Sequence, residues 1–505
     1  MLTLSMIVKN EENYLEDCLN SVKDLVDEIV IVDTGSTDRT IDIAKRYGAK
    51  IFNFKWIDDF SAARNYALDN SSGDWVLYLD ADERLSPQSK DELLSLTSEK
   101  NKTAYYCKVN SINETNNQPA IMDYVRLFSR DESVKFEGKI HEQIENSLRK
   151  AGYAIKQSAI EIIHVGYNIT EEKLKLKAER NLNLLLNEYE KQPTSYYAYQ
   201  IGQTYGKLSN KENAEKYFNI ALKDVNLNNA YKSIAYRYIA LNLAEKGDWE
   251  NAYHFIIESI AADSTQPVAL LGAAKISMHL GKGEDAKYYC KRAYLMNEEY
   301  LTGQRSSQQS ILVDSNTILR EGVLIAATLS DRELFNFFYE ELQKQNNNKP
   351  GMDNFIKEEL LHKLFDNLPI EQSQAETYGN SIQSENEANV VAGLLDYYSD
   401  DEIKLILLNI LYKKFPENTG ILNKLALILE KYENFEDAEK LLEKSYSIDN
   451  HDPSVVFYLI SAHIKTGKFE QIPTIISQAE ATFKNEQQIL EKIELMKNKL
   501  IQIIS

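Results

Sequence analysis

Two patterns of apolar residues divide the chain. Up to about residue 170, short apolar runs bounded by Gly, Asp and Ser alternate with stretches in which apolar residues recur every three or four positions. The runs predict strands at Leu2–Val8, Glu28–Asp33, Lys50–Phe54, Trp75–Asp80, Ala104–Val109 and Tyr124–Phe128. The stretches between them predict helices at Glu12–Val22, Asp38–Tyr47, Phe60–Leu68 and Pro87–Leu96. Alternation of this kind specifies an α/β domain, in which helices cover the faces of a sheet.

Beyond about residue 170 the strand pattern stops, and amphipathic helices separated by short polar breaks continue to the C-terminus. Ile201, Gly202, Tyr205, Ala214, Phe218 and Ala221 have the spacing of a tetratricopeptide unit, where small residues let two helices approach and larger ones fill the groove. Ala240, Leu243, Ala252, Ile256 and Ser259 repeat those offsets, as do Ala274, Ala286, Cys290 and Ala293. Ala426, Leu429, Ala438, Leu442 and Ser445 form a fourth copy, and Ile460 to Ala479 a weaker fifth. Between Leu301 and about Asp400 helices are expected without a clean period, and Lys349–Asn354 is the best internal break there. The expected organisation is an α/β domain over 1–170, tetratricopeptide-type repeats over 171–300, an irregular helical region over 301–400, and further repeats over 401–505. Stacked helical repeats form a concave surface suited to a peptide or protein, and such an array also serves self-association.

Composition narrows the partners. The 505 residues carry 57 Lys+Arg against 77 Asp+Glu, a net charge of −20, which speaks against nucleic acid or an anionic membrane as the main partner. Three scattered cysteines, Cys18, Cys107 and Cys290, suit neither a disulfide framework nor a zinc site and fit a reducing compartment. No signal peptide is evident at the start, and no run approaches the roughly 18 apolar residues of a membrane helix, so a cytoplasmic protein is expected.

Three places carry candidate chemistry. The strand Glu28–Val32 ends in Asp33-Thr34-Gly35-Ser36-Thr37-Asp38, at the strand edge where α/β sheets bind nucleotides. Asp33 could accept hydrogen bonds from a base or ribose, and Ser36 or Thr37 would cap the next helix. A second apolar strand runs into Asp80-Ala81-Asp82-Glu83. Carboxylates at the end of a core strand are costly unless cations or donors compensate them, and two Asp at i and i+2 can share one Mg²⁺ or Mn²⁺. Finally, His141 and His164 stand beside β-like stretches, the former next to Glu142. Chemistry alone does not choose between the two histidines.

In combination, Ser5-Met6-Ile7-Val8-Lys9-Asn10-Glu11, Glu28 to Thr40, Asp59-Phe60-Ser61-Ala62-Ala63-Arg64-Asn65 and Asp80-Ala81-Asp82-Glu83 resemble the family 2 glycosyltransferases over roughly residues 1–170. Gly138-Lys139-Ile140-His141-Glu142 and His164-Val165-Gly166-Tyr167, together with the repeats after them, are similar to a narrower group that includes bacterial flagellin glycosyltransferases and the S-glycosyltransferases of glycocin peptides. The resemblance implies a GT-A, Rossmann-like fold and inverting transfer from a UDP-sugar, as a hexosyl- or N-acetylhexosaminyl-transferase. It implies nucleotide-sugar contacts from Val8, Glu11, Asp33, Arg64, Asp80 and Ala81. It also implies a Mn²⁺ or Mg²⁺ ion held by Asp82 and His164, with Glu142 as general base. The acceptor implied is a Ser/Thr or Cys side chain of a flagellin-like protein or secreted peptide. Two other readings are a transferase acting on a surface polysaccharide and a non-catalytic repeat scaffold with a relic first domain.

Overall fold

The computed structural model describes residues 1–98, 101–112, 120–165, 171–302, 304, 310–347 and 356–504. It falls into two compact units, Met1–Ile318 and Leu319–Ser505. The expected break at Lys349–Asn354 and the motif residues Gly166 and Tyr167 lie outside the described residues.

The first unit opens on a mixed sheet. Its elements are β1 (Leu2–Val8), α1 (Leu15–Val22), β2 (Glu28–Asp33), α2 (Thr40–Arg46), β3 (Lys50–Asn53), α3 (Phe60–Asp69), β4 (Trp75–Tyr78), β5 (Glu83–Leu85), α4 (Lys90–Leu96), β6 (Thr103–Ile112), β7 (Ala120–Ser129), α5 (Glu145–Lys150) and β8 (Ala154–Val165). The strand order is β3-β2-β1-β4-β7-β6-β8-β5, and β9 (Ser310–Ile311) adds to β7. The first four strands in that order are parallel, as the helical crossovers demand, and the antiparallel pairing begins where β4 meets β7. Leu4, Met6, Ile31, Trp75 and Leu77 are fully buried in the core beneath α1. One buried charge is built into this layer. Glu28 accepts from Thr3 Oγ1, Ser72 and Lys50 Nζ; burial would raise its pKa, but Lys50 and the hydroxyl donors outweigh that and lower it to about 2.

Several elements differ from the sequence expectation at their ends. β4 stops at Tyr78, two residues short of Asp80, because its ladders to β1 and β7 end at Tyr78 and Leu77. The chain then turns, with Glu83 N donating to Asp80 O at 3.0 Å. α2 begins at Thr40 and takes no cap from Ser36 or Thr37. Those two residues bond Asn10 instead, and it is the Asp38 carboxylate that accepts from Thr40 N and from Glu12 N.

Helices continue the chain: α6 (Glu171–Lys191), α7 (Ser195–Lys207), α8 (Lys211–Ala221), α9 (Asn229–Glu245), α10 (Trp249–Ala262), α11 (Pro267–His279) and α12 (Gly283–Leu301). α7/α8, α9/α10 and α11/α12 are packed pairs, joined by the small residues that the repeat spacing singled out. Ala214, Ala221, Ala240, Ala252, Ala274 and Ala286 are fully buried. Gly202 faces the Phe218 ring so closely that a β-carbon would stand 2.9 Å from it.

The second unit keeps the two-helix grammar. α13 (Ser315–Thr328) enters it, and α14 (Arg332–Asn347), α15 (Ile356–Phe365), α16 (Gln372–Ser381), α17 (Glu385–Leu394), α18 (Asp401–Lys414), α19 (Thr419–Lys431), α20 (Phe435–Ile448), α21 (Pro453–Thr466), α22 (Ile472–Thr482) and α23 (Gln487–Ile504) complete it. α15 packs on α17, α17 on α19 and α16 on α18, so first helices stack on first helices and second on second. The period is hard to read over 301–400 because α15, α16 and α17 are short and the breaks around them unequal. A signal was nevertheless present. Gly322 and Phe338 reproduce the spacing of Gly202 and Phe218, and a β-carbon on Gly322 would stand 2.5 Å from the Phe338 ring.

Two glycines of this unit lead to opposite predictions. Gly322→Ala must displace the fully buried Phe338 ring and is expected to cost about 1–3 kcal/mol despite alanine's better helix propensity. Gly393→Ala, with nothing within 4 Å of the new carbon, should be neutral or stabilise by up to about 1 kcal/mol. Thermal and urea denaturation of the two variants checks the order, and an equal or reversed ranking refutes the packing argument.

Candidate active site

The site is assembled where the C-terminal ends of β1, β2 and β4 meet β7, β8 and the loop before α5. Asp59 starts α3 by accepting from Ala62 N at 2.8 Å, which fixes the helix one turn ahead of Arg64. Asn65 then ties the helix to residue 136 in both directions, donating to Phe136 O and accepting from Phe136 N. Phe60 N donates to Lys139 O. The run Asp59 to Asn65 is therefore a scaffold that brings one buried guanidinium, Arg64, beneath the 136–143 loop.

Arg64 is 8% exposed and bridges two segments: Nε donates to Glu142 Oε1 at 2.5 Å and Nη2 to Asp80 Oδ1 at 2.8 Å. Glu142 Oε2 has no hydrogen-bond partner among the described residues. A second guanidinium, Arg126 on β7, donates to Glu83 Oε1 at 2.5 Å and lies 3.7 Å from Asp80 Oδ2. Both cations sit over the Tyr78 ring, at 5.3 Å and 4.5 Å from its centroid. Loss of water around Asp80 would raise its pKa, but Arg64 and then Arg126 outweigh this and hold the carboxyl below its usual range. Glu83 is the converse case. Its burial dominates, Asp80 adds to it, and the pair outweighs Arg126 to push Glu83 up to about 7.

Strand pairing decides between the two histidines. β5 runs antiparallel to β8 with Glu83 opposite His164, and Val165 N donates to Asp82 O at 3.0 Å. That register sets His164 Nε2 3.1 Å from Asp82 Oδ2. The next strand over, β6, places Ser111 opposite His164, and Ser111 Oγ lies 3.0 Å from Nδ1. Burial opposes protonation of His164, yet the Asp82 carboxylate overrides it and raises the pKa. His141 is elsewhere. It takes a left-handed backbone (φ 52°), lines a cavity against α7 and α9, and points its carbonyl at Tyr196. Burial, with Lys207 adding, pushes the His141 imidazole down to about 4.

The nucleotide-side candidates form a separate rim of the same sheet edge. Val8 and Asp33 are register partners of β1 and β2 and both are buried. The Asp33 carboxylate accepts from Gly35 N and Ser36 N, so it holds its own turn. Glu11 N donates to Thr40 Oγ1, and Ala81 is buried within the Asp80–Glu83 turn. Arg126, Tyr78 and Ser111 were not singled out from the sequence, and Glu83 entered only as the last residue of the acidic motif. For Arg126 a signal existed, since a cation inside the apolar run Tyr124–Phe128 must find a carboxylate.

Among the described residues, one group of three acidic and imidazole side chains lies close enough to hold a metal: Glu439, Glu443 and His463 in the second unit. Its charge is already met. Glu439 Oε1 bonds His463 Nδ1 and Thr466 Oγ1, and Oε2 takes Lys468 Nζ at 2.6 Å, so it is a structural network between α20 and α21.

Residues 3–152 match the model of the family described as Glycosyl transferase family 2. A TPR repeat-containing protein of Synechococcus elongatus is 41% identical over 150 residues, covering 29% of this chain and 36% of the relative. The SPbeta prophage-derived glycosyltransferase SunS of Bacillus subtilis is 34% identical over 185 residues, 36% of this chain and 44% of its own length. The chain thus spans less than half the length of these curated relatives. Among solved structures, glucosyl-3-phosphoglycerate synthase of Mycobacterium tuberculosis aligns with 37% of this chain and 76% of its own at 19% identity, with a TM-score of 0.28. The family match covers the N-terminal α/β domain, and the helical pairs with tetratricopeptide spacing come after it.

The displaced titration of His141 has a pH consequence. With an unfolded value near 6.5 and a folded value near 4, the unfolded chain binds the extra proton between those limits. The contribution to stability is full above about pH 6.5 and is lost as pH falls toward 4. His141→Asn should therefore lose less melting temperature than the parent between pH 6.5 and 4; parallel melting curves for the two would refute it.

Proposed function

We propose that this chain is an inverting, metal-dependent glycosyltransferase that moves a sugar from a UDP-sugar to a Ser/Thr or Cys side chain of a protein or peptide presented by the helical repeats. The observation that carries this is the Asp82–His164 pair, 3.1 Å apart, beside a cluster in which Arg64 holds Asp80 and Glu142 and Arg126 holds Glu83. With Glu83 pushed up to about 7, Asp80, Asp82 and Glu142 still outnumber the two guanidiniums, so a divalent cation would meet net negative charge there.

The donor set suits such an ion. Asp82 and His164 offer an oxygen and a nitrogen 3.1 Å apart, as two neighbouring ligands of one small hard cation would be, and Ser111 orients the imidazole from behind. Asp80, held by Arg64 and Arg126, would shape the site without ligating. Mn²⁺ or Mg²⁺ there would offset the charge that develops on the leaving diphosphate. Arg64 sits within the same cluster and would add its charge when its carboxylate partners exchange for phosphate oxygens. Asp33, Val8, Glu11 and Ala81 stand at the sheet edge where the nucleoside would lie. Glu142, with one oxygen held by Arg64 and the other without a partner, would take the proton of the attacking hydroxyl or thiol. Single displacement needs no enzyme nucleophile and inverts the anomeric centre. The resemblance to flagellin and glycocin glycosyltransferases and the helical pairs after the first domain favour a protein or secreted-peptide acceptor over a polysaccharide. Three free, buried cysteines accord with action in the cytoplasm.

Asp82→Ala is expected to abolish metal-dependent UDP binding and turnover while the protein stays folded. Calorimetric titration of UDP with and without Mn²⁺ checks this, and wild-type affinity in the variant removes Asp82 from the metal site. Glu142→Gln should bind UDP normally and lose transfer by roughly 10²–10⁴-fold. Intact-mass analysis of flagellin and small secreted peptides incubated with the enzyme and a UDP-sugar supplies the assay.

A further inference from the structure

We propose that Tyr196, the second residue of α7, is a positioning residue for catalysis: its single hydroxyl clamps the loop that carries Glu142, so the first helical repeat completes the catalytic site. The inference rests on Glu142 acting as the base. The Tyr196 hydroxyl donates to His141 O at 3.2 Å and accepts from Gln143 Nε2 at 3.0 Å. It therefore holds the residues on both sides of Glu142 while leaving the Glu142 side chain to Arg64. Alternation along the loop explains the division, with 141 and 143 facing the helices and 142 facing the cluster.

Packing does not hold this loop by itself. Gly138 and His141 both have left-handed backbones (φ 96° and 52°), a conformation that a histidine adopts only when its surroundings impose it. Beside the loop lies an open pocket of about 410 Å³ lined by Gly138, His141, Gln143, Tyr196 and Tyr231. Other ties among the described residues are the Glu137–Gln143 backbone pair, Phe60 N donating to Lys139 O, the insertion of Ile140 among Leu182, Leu185 and Ile201, Lys139 paired with Glu188 at 3.2 Å, Lys150 paired with Glu137, and Arg64 on the Glu142 side chain. These fix the two arms of the loop. Tyr196 fixes its tip. Tyr231 stands 5.8 Å from the Tyr196 ring and lines the same pocket, and only the Tyr196 hydroxyl is bonded to His141 O among the described residues.

The test is Tyr196→Phe in the full chain, which removes the hydroxyl and almost no volume. Hydrogen exchange measured by mass spectrometry needs no donor or acceptor. Amides of residues 137–146 should exchange at least about tenfold faster, the equivalent of losing one or two hydrogen bonds, while α3 and α8 keep their protection. Unchanged exchange in 137–146, or an equal rise throughout the first unit, overturns the proposal. With UDP-glucose or UDP-N-acetylglucosamine and Mn²⁺, kcat for donor hydrolysis or transfer should fall about tenfold or more with donor KM within twofold. In a Glu142→Gln background the same substitution should cost nearly nothing further, because Tyr196 acts through that carboxylate. Full additivity of the two losses would also overturn the clamp. If Glu142→Gln alone leaves turnover intact, the base assignment fails, and the exchange result still judges whether Tyr196 holds the loop.

Discussion

The Arg64 guanidinium is the constraint on which the site depends. It is buried, and a buried charge left without partners costs several kcal/mol, so whatever surrounds it must bring carboxylates to it. Asp80 comes from the turn after β4 and Glu142 from the loop before α5, segments far apart in sequence. Satisfying one cation thus fixes the distance between the acidic turn and the loop that carries an acid with one oxygen still open. Arg126 does the same for Glu83 and shares Asp80, so the two cations and the Tyr78 ring between them form one rigid electrostatic unit.

A second consequence concerns where the enzyme domain ends. The apolar pattern changes at about residue 170, and the family match ends at residue 152, yet the first compact unit runs to Ile318. The reason is visible in the 137–143 loop. On one side it faces Arg64. On the other it leans on α6 and α7 through Ile140, Lys139 and the Tyr196 hydroxyl. An apolar residue such as Ile140 in a loop between two polar layers buries itself in whichever neighbour offers apolar cover, and here that is the helical layer. The first helical pair thus touches the same loop that carries Glu142.

Much of the local structure was legible in the chain. β1 and β2 were readable to the residue, because each is a continuous apolar run bounded by charge, and α3 was readable because Asp59 caps it and its buried face recurs at helical spacing. β5 was missed because three residues carry no periodicity, and β8 was seen only at its apolar end because its first half is polar and half-exposed. The capping of α2 was misread since Ser36 and Thr37 found a better partner in Asn10, a residue on another loop.

By itself the sequence brought out candidates for the chemistry: acids ending an apolar strand and an acid beside a histidine after the last strands of the domain, with Arg64 added by the family resemblance. It also determined the two-helix grammar of the C-terminal region, through small residues at fixed offsets. Only the tertiary structure decided that His164 rather than His141 joins Asp82, that Arg126 joins Glu83, and that Tyr196 reaches over Glu142. Those choices come from strand register and helix docking, which are sums of contacts between segments many residues apart. A β-strand pairing slipped by one residue would turn His164 to the other face while leaving the sequence pattern unchanged.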